Sequence, residues 1–153
     1  MKFERVGPTE SEKYDKLIAI MPAFVKIYSP NCIHCINMKE AWDSLDNNDD
    51  IKKYDIAIIE VHEQATNNIK SSSGKITEGL PTIRAVNLHG DKWKEYEGDR
   101  SVKDMIKFIK EYFKFNNKMM SGGKKKYKRN SKKQKRTKRT KRTKRKITKR
   151  KRI

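Results

Sequence analysis

The last 33 residues of this 153-residue chain hold 20 of its 39 Lys and Arg and not one acid. Like-charge repulsion and the lack of an apolar face leave such a segment nothing to offset the entropy of ordering it. Any fold must therefore come from the first 120 residues, where 19 bases meet all 19 acids. The formal net charge of +20 belongs to the tail alone, and the remainder is a neutral body of single-domain size. The composition places a domain at 1–118, a hinge at 119–123 around Ser121-Gly122-Gly123, and a disordered polybasic tail at 124–153.

Hydrophobic periodicity divides the body into alternating elements. Ser11–Ile20 reads as a helix capped by Ser11 or Thr9, with Tyr14, Leu17, Ile18 and Met21 at helical spacing. After Pro22, Ala23–Tyr28 reads as a largely apolar strand. Ser29-Pro30-Asn31 is a turn that launches a helix from Cys32 to about Leu45, with Cys35, Met38, Trp42 and Leu45 as its inward stripe. Asn47 to Asp50 ends that helix. Ile56–Val61 has the continuous apolarity of a strand covered on both faces. A short helix over Glu63–Lys70, a polar loop at Ser71–Gly74 and a strand at Ile83–Leu88 follow. His89-Gly90-Asp91 turns the chain into an edge strand at Lys92–Tyr96, and Ser101 caps a last helix with Val102, Met105, Ile106, Ile109 and Phe113 inward. The order predicts an α/β domain, a central mixed β-sheet with helices on both faces.

The chain has two cysteines, Cys32 and Cys35. Three apart at the start of a helix, they lie on one face within reach of a disulfide. The first sees free backbone N–H groups, which favour its thiolate, and a protonated His34 would favour it further. An exposed nucleophile beside a sheltered partner is what a redox dithiol needs. Other readings remain open at this level. A metal or cluster bridged between two chains is one, and a pair of inert core cysteines is another. A zinc site within one chain lacks its remaining ligands, so no metal is assigned. His62 and His89 read as ordinary strand-end or loop residues.

The segment AFVKIYSPNCIHCINMKEAW resembles the strand–CxxC–helix core of thioredoxins and, more closely, of protein disulfide isomerase domains. GLPTIRAVNLHGDKWKEYEGDRSVKDMIKFI resembles the later half of the same fold, and together they span most of residues 12–115. The resemblance implies a thioredoxin-like fold and a thiol–disulfide oxidoreductase that needs no cofactor and acts on protein thiols and disulfides. It implies that Cys32 attacks and Cys35 resolves. It implies that Pro81, in Leu80-Pro81-Thr82, is cis and lies against the pair. His34 matches the histidine that favours the dithiol form in disulfide isomerases. Arg100 matches an arginine that swings towards the second cysteine. The sequence departs from the family at three positions. Asn31 replaces an aromatic residue, Ile33 replaces glycine, and Lys26 stands where the family places a buried acid that shuttles the proton of the second cysteine. A neutral lysine there takes that proton, a charged one holds Cys35 as thiolate, or Lys26 points elsewhere. These departures keep a second reading in view, a catalytically weak adaptor whose tail does the main work.

The tail repeats Thr-Lys-Arg from Thr137, Thr140, Thr143 and Thr148. Lys124, Lys125, Lys126, Arg136, Arg139, Arg142 and Arg145 are its candidate polyanion contacts, with nucleic acid the foremost partner and nuclear import an alternative use of the same charges. Residues 1–14 lack an apolar run, Leu17–Met21 is too short for a leader core, and no stretch approaches the roughly 18 apolar residues of a membrane span. Cytoplasm or nucleus, or a virion given the Lys-, Ile- and Asn-rich composition, is the expected location. A monomer without membrane insertion is the expected state.

Overall fold

The structure, a computed structural model, describes residues 1–121. The tail and its candidate polyanion contacts lie outside the described residues. Five strands form one sheet in the order β1-β3-β2-β4-β5. They are β1 (Lys2–Val6), β2 (Ala23–Tyr28), β3 (Ala57–His62), β4 (Thr82–Val86) and β5 (Trp93–Glu95). β1 and β2 run parallel to β3, and β4 and β5 complete the sheet antiparallel. The helices are α1 (Ser11–Ile20), α2 (Ile33–Asn37), α3 (Lys39–Asp43), α4 (Asp49–Lys52) and α5 (Val102–Ser121).

The pleat sorts the core into two layers, because successive side chains point to opposite faces. Phe24 and Ile58 face α3, α4 and α5, where they meet Trp42, Ile51, Met105, Ile109 and Phe113. Val25, Ile27, Ile59 and Val61 face α1, where they meet Tyr14, Leu17 and Ile18. Burial of the central strands on both faces matches their unbroken apolar runs. Gly90 closes the β4–β5 turn at φ +72°, and a Cβ there would stand 2.5 Å from Ile18 Cδ1. Any side chain there would be strained and would have to displace Ile18.

The structure departs from the sequence reading at several places. β1 was not expected, because Lys2, Glu4 and Arg5 interrupt any apolar run; it is an edge strand, where charges are tolerated. The helix expected over Cys32–Leu45 breaks at Met38 (φ −94°, ψ 1°) into α2 and α3. Its stripe survives the break, with Cys35, Met38, Trp42 and Leu45 all buried. Residues expected to end that helix instead start α4, capped by the Asn48 side chain, which accepts from Asp50 N–H. The N-cap of α1 is Glu10 rather than Ser11 or Thr9, and its carboxylate turns back to accept from Gly7 N–H at 2.8 Å. Glu63–Asn67 and Ser72–Gly74 are 3-10 turns. Ser101 caps α5 as expected, its hydroxyl accepting from Asp104 N–H at 3.2 Å. That helix continues to Ser121, into the segment read as hinge. Among the described residues no helix is long and apolar enough to cross a membrane.

Candidate active site

β2 ends at Tyr28, and the Ser29-Pro30-Asn31 turn delivers Cys32 to the N-cap of α2. Cys32 is extended there (φ −85°, ψ 114°), and its sulfur accepts from Cys35 N–H at 3.3 Å. Its thiol donates to Leu80 O at 3.5 Å. The Leu80–Pro81 bond is cis, and the Leu80 O contact puts the loop before β4 against the first cysteine. Cys32 is half-buried and Cys35 buried, both as free thiols. The site therefore offers one sulfur to a partner and withholds the other.

Their environments push the two thiols apart. Burial opposes ionisation of Cys32. Hydrogen bonds from the Cys35 thiol and from the backbone of Cys35 and His34, together with the Arg100 charge, outweigh it and hold the Cys32 pKa below that of an ordinary thiol. Burial and the hydrogen bond with Cys32 push Cys35 up to about 11, against the Ser29 backbone and the Lys26 charge. An asymmetric pair of this kind separates an attacking thiolate from a thiol held in reserve.

The residues singled out around the cysteine pair each have a definite place. His34 is exposed, and its backbone acts on Cys32. Arg100 takes a positive φ of 65° in the loop before α5, where its N–H donates to Tyr96 Oη at 3.1 Å. Its charge favours the Cys32 thiolate, whereas the resemblance pointed to the second cysteine. Asn31 is exposed, and Ile33 and Ile36 beside the pair are 61% and 53% exposed. Lys26 does not point away. It is 1% exposed and its ammonium lies 2.6 Å from Glu60 Oε1.

Glu60 was not singled out in the sequence, nor were Arg5 and Arg84. Arg5 Nε donates to Glu60 Oε2 at 3.0 Å, and its Nη2 reaches Asp43 Oδ1 at 2.9 Å. Cys35, Glu60, Arg5, Lys39, Tyr28 and Ile36 share a cleft of about 410 Å³ beside the pair. Arg84, fully buried on β4, donates to Ser73 O and Lys75 O and pairs with Glu95, tying down the segment that leads to Pro81. The available signal was a lone charge in an otherwise apolar strand: Glu60 in IAIIEV and Arg84 in TIRAV. Buried charges are rare unless paired. Among the described residues no cluster of three or more His, Cys, Asp or Glu is placed to hold a metal.

Comparison with known proteins agrees with this fold. The family model described as Thioredoxin matches residues 5–111. A thioredoxin domain-containing protein 5 homolog of Drosophila melanogaster is 29% identical over 104 residues, covering 68% of this chain and 25% of that protein. The protein disulfide-isomerase-like protein EhSep2 of Emiliania huxleyi is 33% identical over 101 residues, covering 63% of this chain and 44% of that protein. This chain thus spans a quarter to under half the length of those relatives. The crystal structure of the Trx4 domain of ERdj5 shares the fold at 16% identity with a TM-score of 0.55, covering 76% of this chain and 98% of that one. A central mixed sheet flanked by helices, a CxxC pair at a helix start and a family match over most of the body lead to one statement: the chain belongs to the thioredoxin family.

Proposed function

We propose that the protein is a thiol–disulfide oxidoreductase acting on protein substrates through Cys32 and Cys35. The observation that carries this reading is the asymmetry of the pair, a half-buried thiol with a lowered pKa beside a buried one pushed up to about 11. The Cys32 thiolate attacks a substrate disulfide, forming a mixed disulfide and releasing one substrate sulfur as thiolate. Cys35 then attacks Cys32 Sγ, the second substrate sulfur leaves, and the Cys32–Cys35 disulfide closes; the reverse steps oxidise a substrate dithiol. Leu80 O, already the acceptor for the Cys32 thiol, is a backbone group within reach of a bound substrate segment. Exposed Ile33 and Ile36 offer that segment apolar contact.

A relative described as protein disulfide-isomerase-like and the histidine before Cys35 favour an oxidising or isomerising poise over a general reductant. Equilibration of the full-length protein in glutathione buffers tests both points. The expected result is one reversible two-electron transition with a midpoint above the roughly −270 mV of thioredoxin. Absence of a reversible transition would remove the oxidoreductase reading, and a midpoint at or below that value would remove the oxidising one. For residues 124–153 the proposal is polyanion binding by charge alone. Affinity for a nucleic-acid duplex should fall steeply and log-linearly with salt, with little dependence on base sequence. A salt-insensitive or strongly sequence-specific interaction would contradict it.

A further inference from the structure

Arg5 on β1 and Lys26 on β2 are each in register with Glu60 on β3. The three side chains therefore stand at one level across adjacent strands, in the charge order plus, minus, plus. Glu60 serves both cations, taking Lys26 on Oε1 and Arg5 on Oε2. Arg5 extends the row to Asp43 on α3, which Lys39 also contacts. Three cations thus face two carboxylates, leaving one positive charge in excess. Lys26 is the most buried of the cations, its ammonium 4.9 Å from the Trp42 ring and 5.5 Å from that of Tyr28.

The resolving half-reaction creates one negative charge at the edge of this network, because a buried Cys35 thiol must become a thiolate before it can attack. A buried carboxylate alone would oppose that charge, whereas a paired lysine compensates it. Resting on the exchange reading above, we infer that Lys26, aimed by its ion pair with Glu60, is a positioning residue that carries Cys35 through its thiolate state. The sign of the buried group is thus the reverse of the one the family resemblance places at this position. In the step, the Cys35 proton leaves to solvent through the cleft that Cys35 and Glu60 both line. The freed sulfur pair attacks Cys32 Sγ and the Cys32–substrate S–S bond breaks. The bonding pair departs on the substrate sulfur, which takes up a proton, so two electrons pass from the dithiol to the substrate.

The groups around each partner agree with this role. Lys26 is faced by Glu60 on β3, Asp43 on α3 and Cys35 on α2; burial is the largest influence and holds its pKa below that of an ordinary lysine, against the opposing pull of all three neighbours. Cys35 is faced by Cys32, the Ser29 backbone and Lys26, with Arg5, Lys39 and Glu60 across the cleft. An ammonium held by a carboxylate in register gives Lys26 little freedom to act as a mobile base. Compensation of charge is what this arrangement supplies.

The test titrates Cys35 in full-length Cys32→Ser protein, following alkylation by iodoacetamide against pH. Adding Lys26→Met leaves Glu60 its bond to Arg5, so no carboxylate is orphaned. The midpoint should rise by about one pH unit or more, about tenfold less thiolate at a given pH. A second variant, Lys26→Gln, keeps a donor beside Glu60 and removes the charge beside Cys35. It should also raise the midpoint, and it decides the matter if Lys26→Met does not fold. An unchanged or lowered midpoint overturns the inference, since the Lys26 charge would then do nothing for the Cys35 thiolate. Wild-type protein without disulfide exchange, but with midpoints that move in the variants, would sink the exchange reading and leave only the electrostatic hold of Lys26 on Cys35 standing. Full exchange with fixed midpoints would do the opposite.

Discussion

Arg84 offers the sharpest test of how the sheet holds the active-site loop. Its guanidinium is fully buried on β4. Nη1 donates to Ser73 O at 2.7 Å and Lys75 O at 2.9 Å, Nη2 donates to Thr77 Oγ1 at 3.2 Å, and the same group pairs with Glu95 at 2.9 Å. Those acceptors bracket the segment that enters Gly79-Leu80-Pro81, where Leu80 O meets the Cys32 thiol. Replacing Arg84 with Met keeps much of the volume and removes every bond. Hydrogen bonds from a charged donor contribute about 1.5–3 kcal/mol each, and removing one partner of a buried pair costs about 3–5 kcal/mol. Glu95 is 35% exposed on its side chain and can turn to water, so the loss comes mainly from the carbonyls of Ser73 and Lys75. We expect Arg84→Met to cost about 3–5 kcal/mol in urea unfolding, a fall in Tm of roughly 10–20 °C for a body of this size. Arg84→Lys should lie between, because one ammonium can meet Glu95 but cannot span both carbonyls. Hydrogen exchange should show protection lost first at residues 73–80. A cost below about 1 kcal/mol, or a large cost with unchanged protection there, would refute the clamp.

The cysteines predict complementary phenotypes: Cys32→Ser should abolish reduction of a protein disulfide, while Cys35→Ser should accumulate a mixed disulfide visible on a non-reducing gel. Stability of the reduced protein should depend on alkaline pH. Cys35 is raised to about 11 when folded, so the unfolded chain releases its proton first, near 8.5. Stability is therefore lost as pH rises from that value through the folded pKa, and Cys35→Ala should flatten this part of the profile. Cys32, lowered when folded, acts in the window just below, where stability rises with pH; urea titrations across both windows separate the two. Gly90→Ala should cost about 1–3 kcal/mol, since its Cβ would meet Ile18 Cδ1 and Ser71 Oγ at a φ of +72°. An unchanged urea midpoint would contradict that account of the turn.

The sequence disclosed what short-range pattern encodes. Ser11–Ile20 and Ala23–Tyr28 were legible to the residue, because a 3.6-residue stripe and an apolar run are local properties. Cys32 and Cys35 were legible because their spacing carries the chemistry and the turn before them is written in Ser29-Pro30-Asn31. β1 was hidden, since a charged parallel edge strand acquires meaning only beside β3. The network under Cys35 was hidden for the same reason. The unusual residue at Lys26 was visible, but its partner is fixed by a register across 34 residues of sequence, which no local window contains. Arg84 likewise binds carbonyls of a loop that sequence describes only as polar.

The strand order bears on how the chain assembles during synthesis. β1 emerges first, yet its sole neighbour is β3, and Phe3 must await Ile58. β2, at the sheet's centre, is made before either strand that flanks it, and only β4 and β5 join neighbours through a short turn. Growth from the N-terminus therefore leaves the Cys32–Cys35 segment unsheltered through the production of two further strands. Within these 153 residues the two thiols, three apart, are the nearest partners either one can meet in that interval, so early oxidation among them can close only the Cys32–Cys35 bridge.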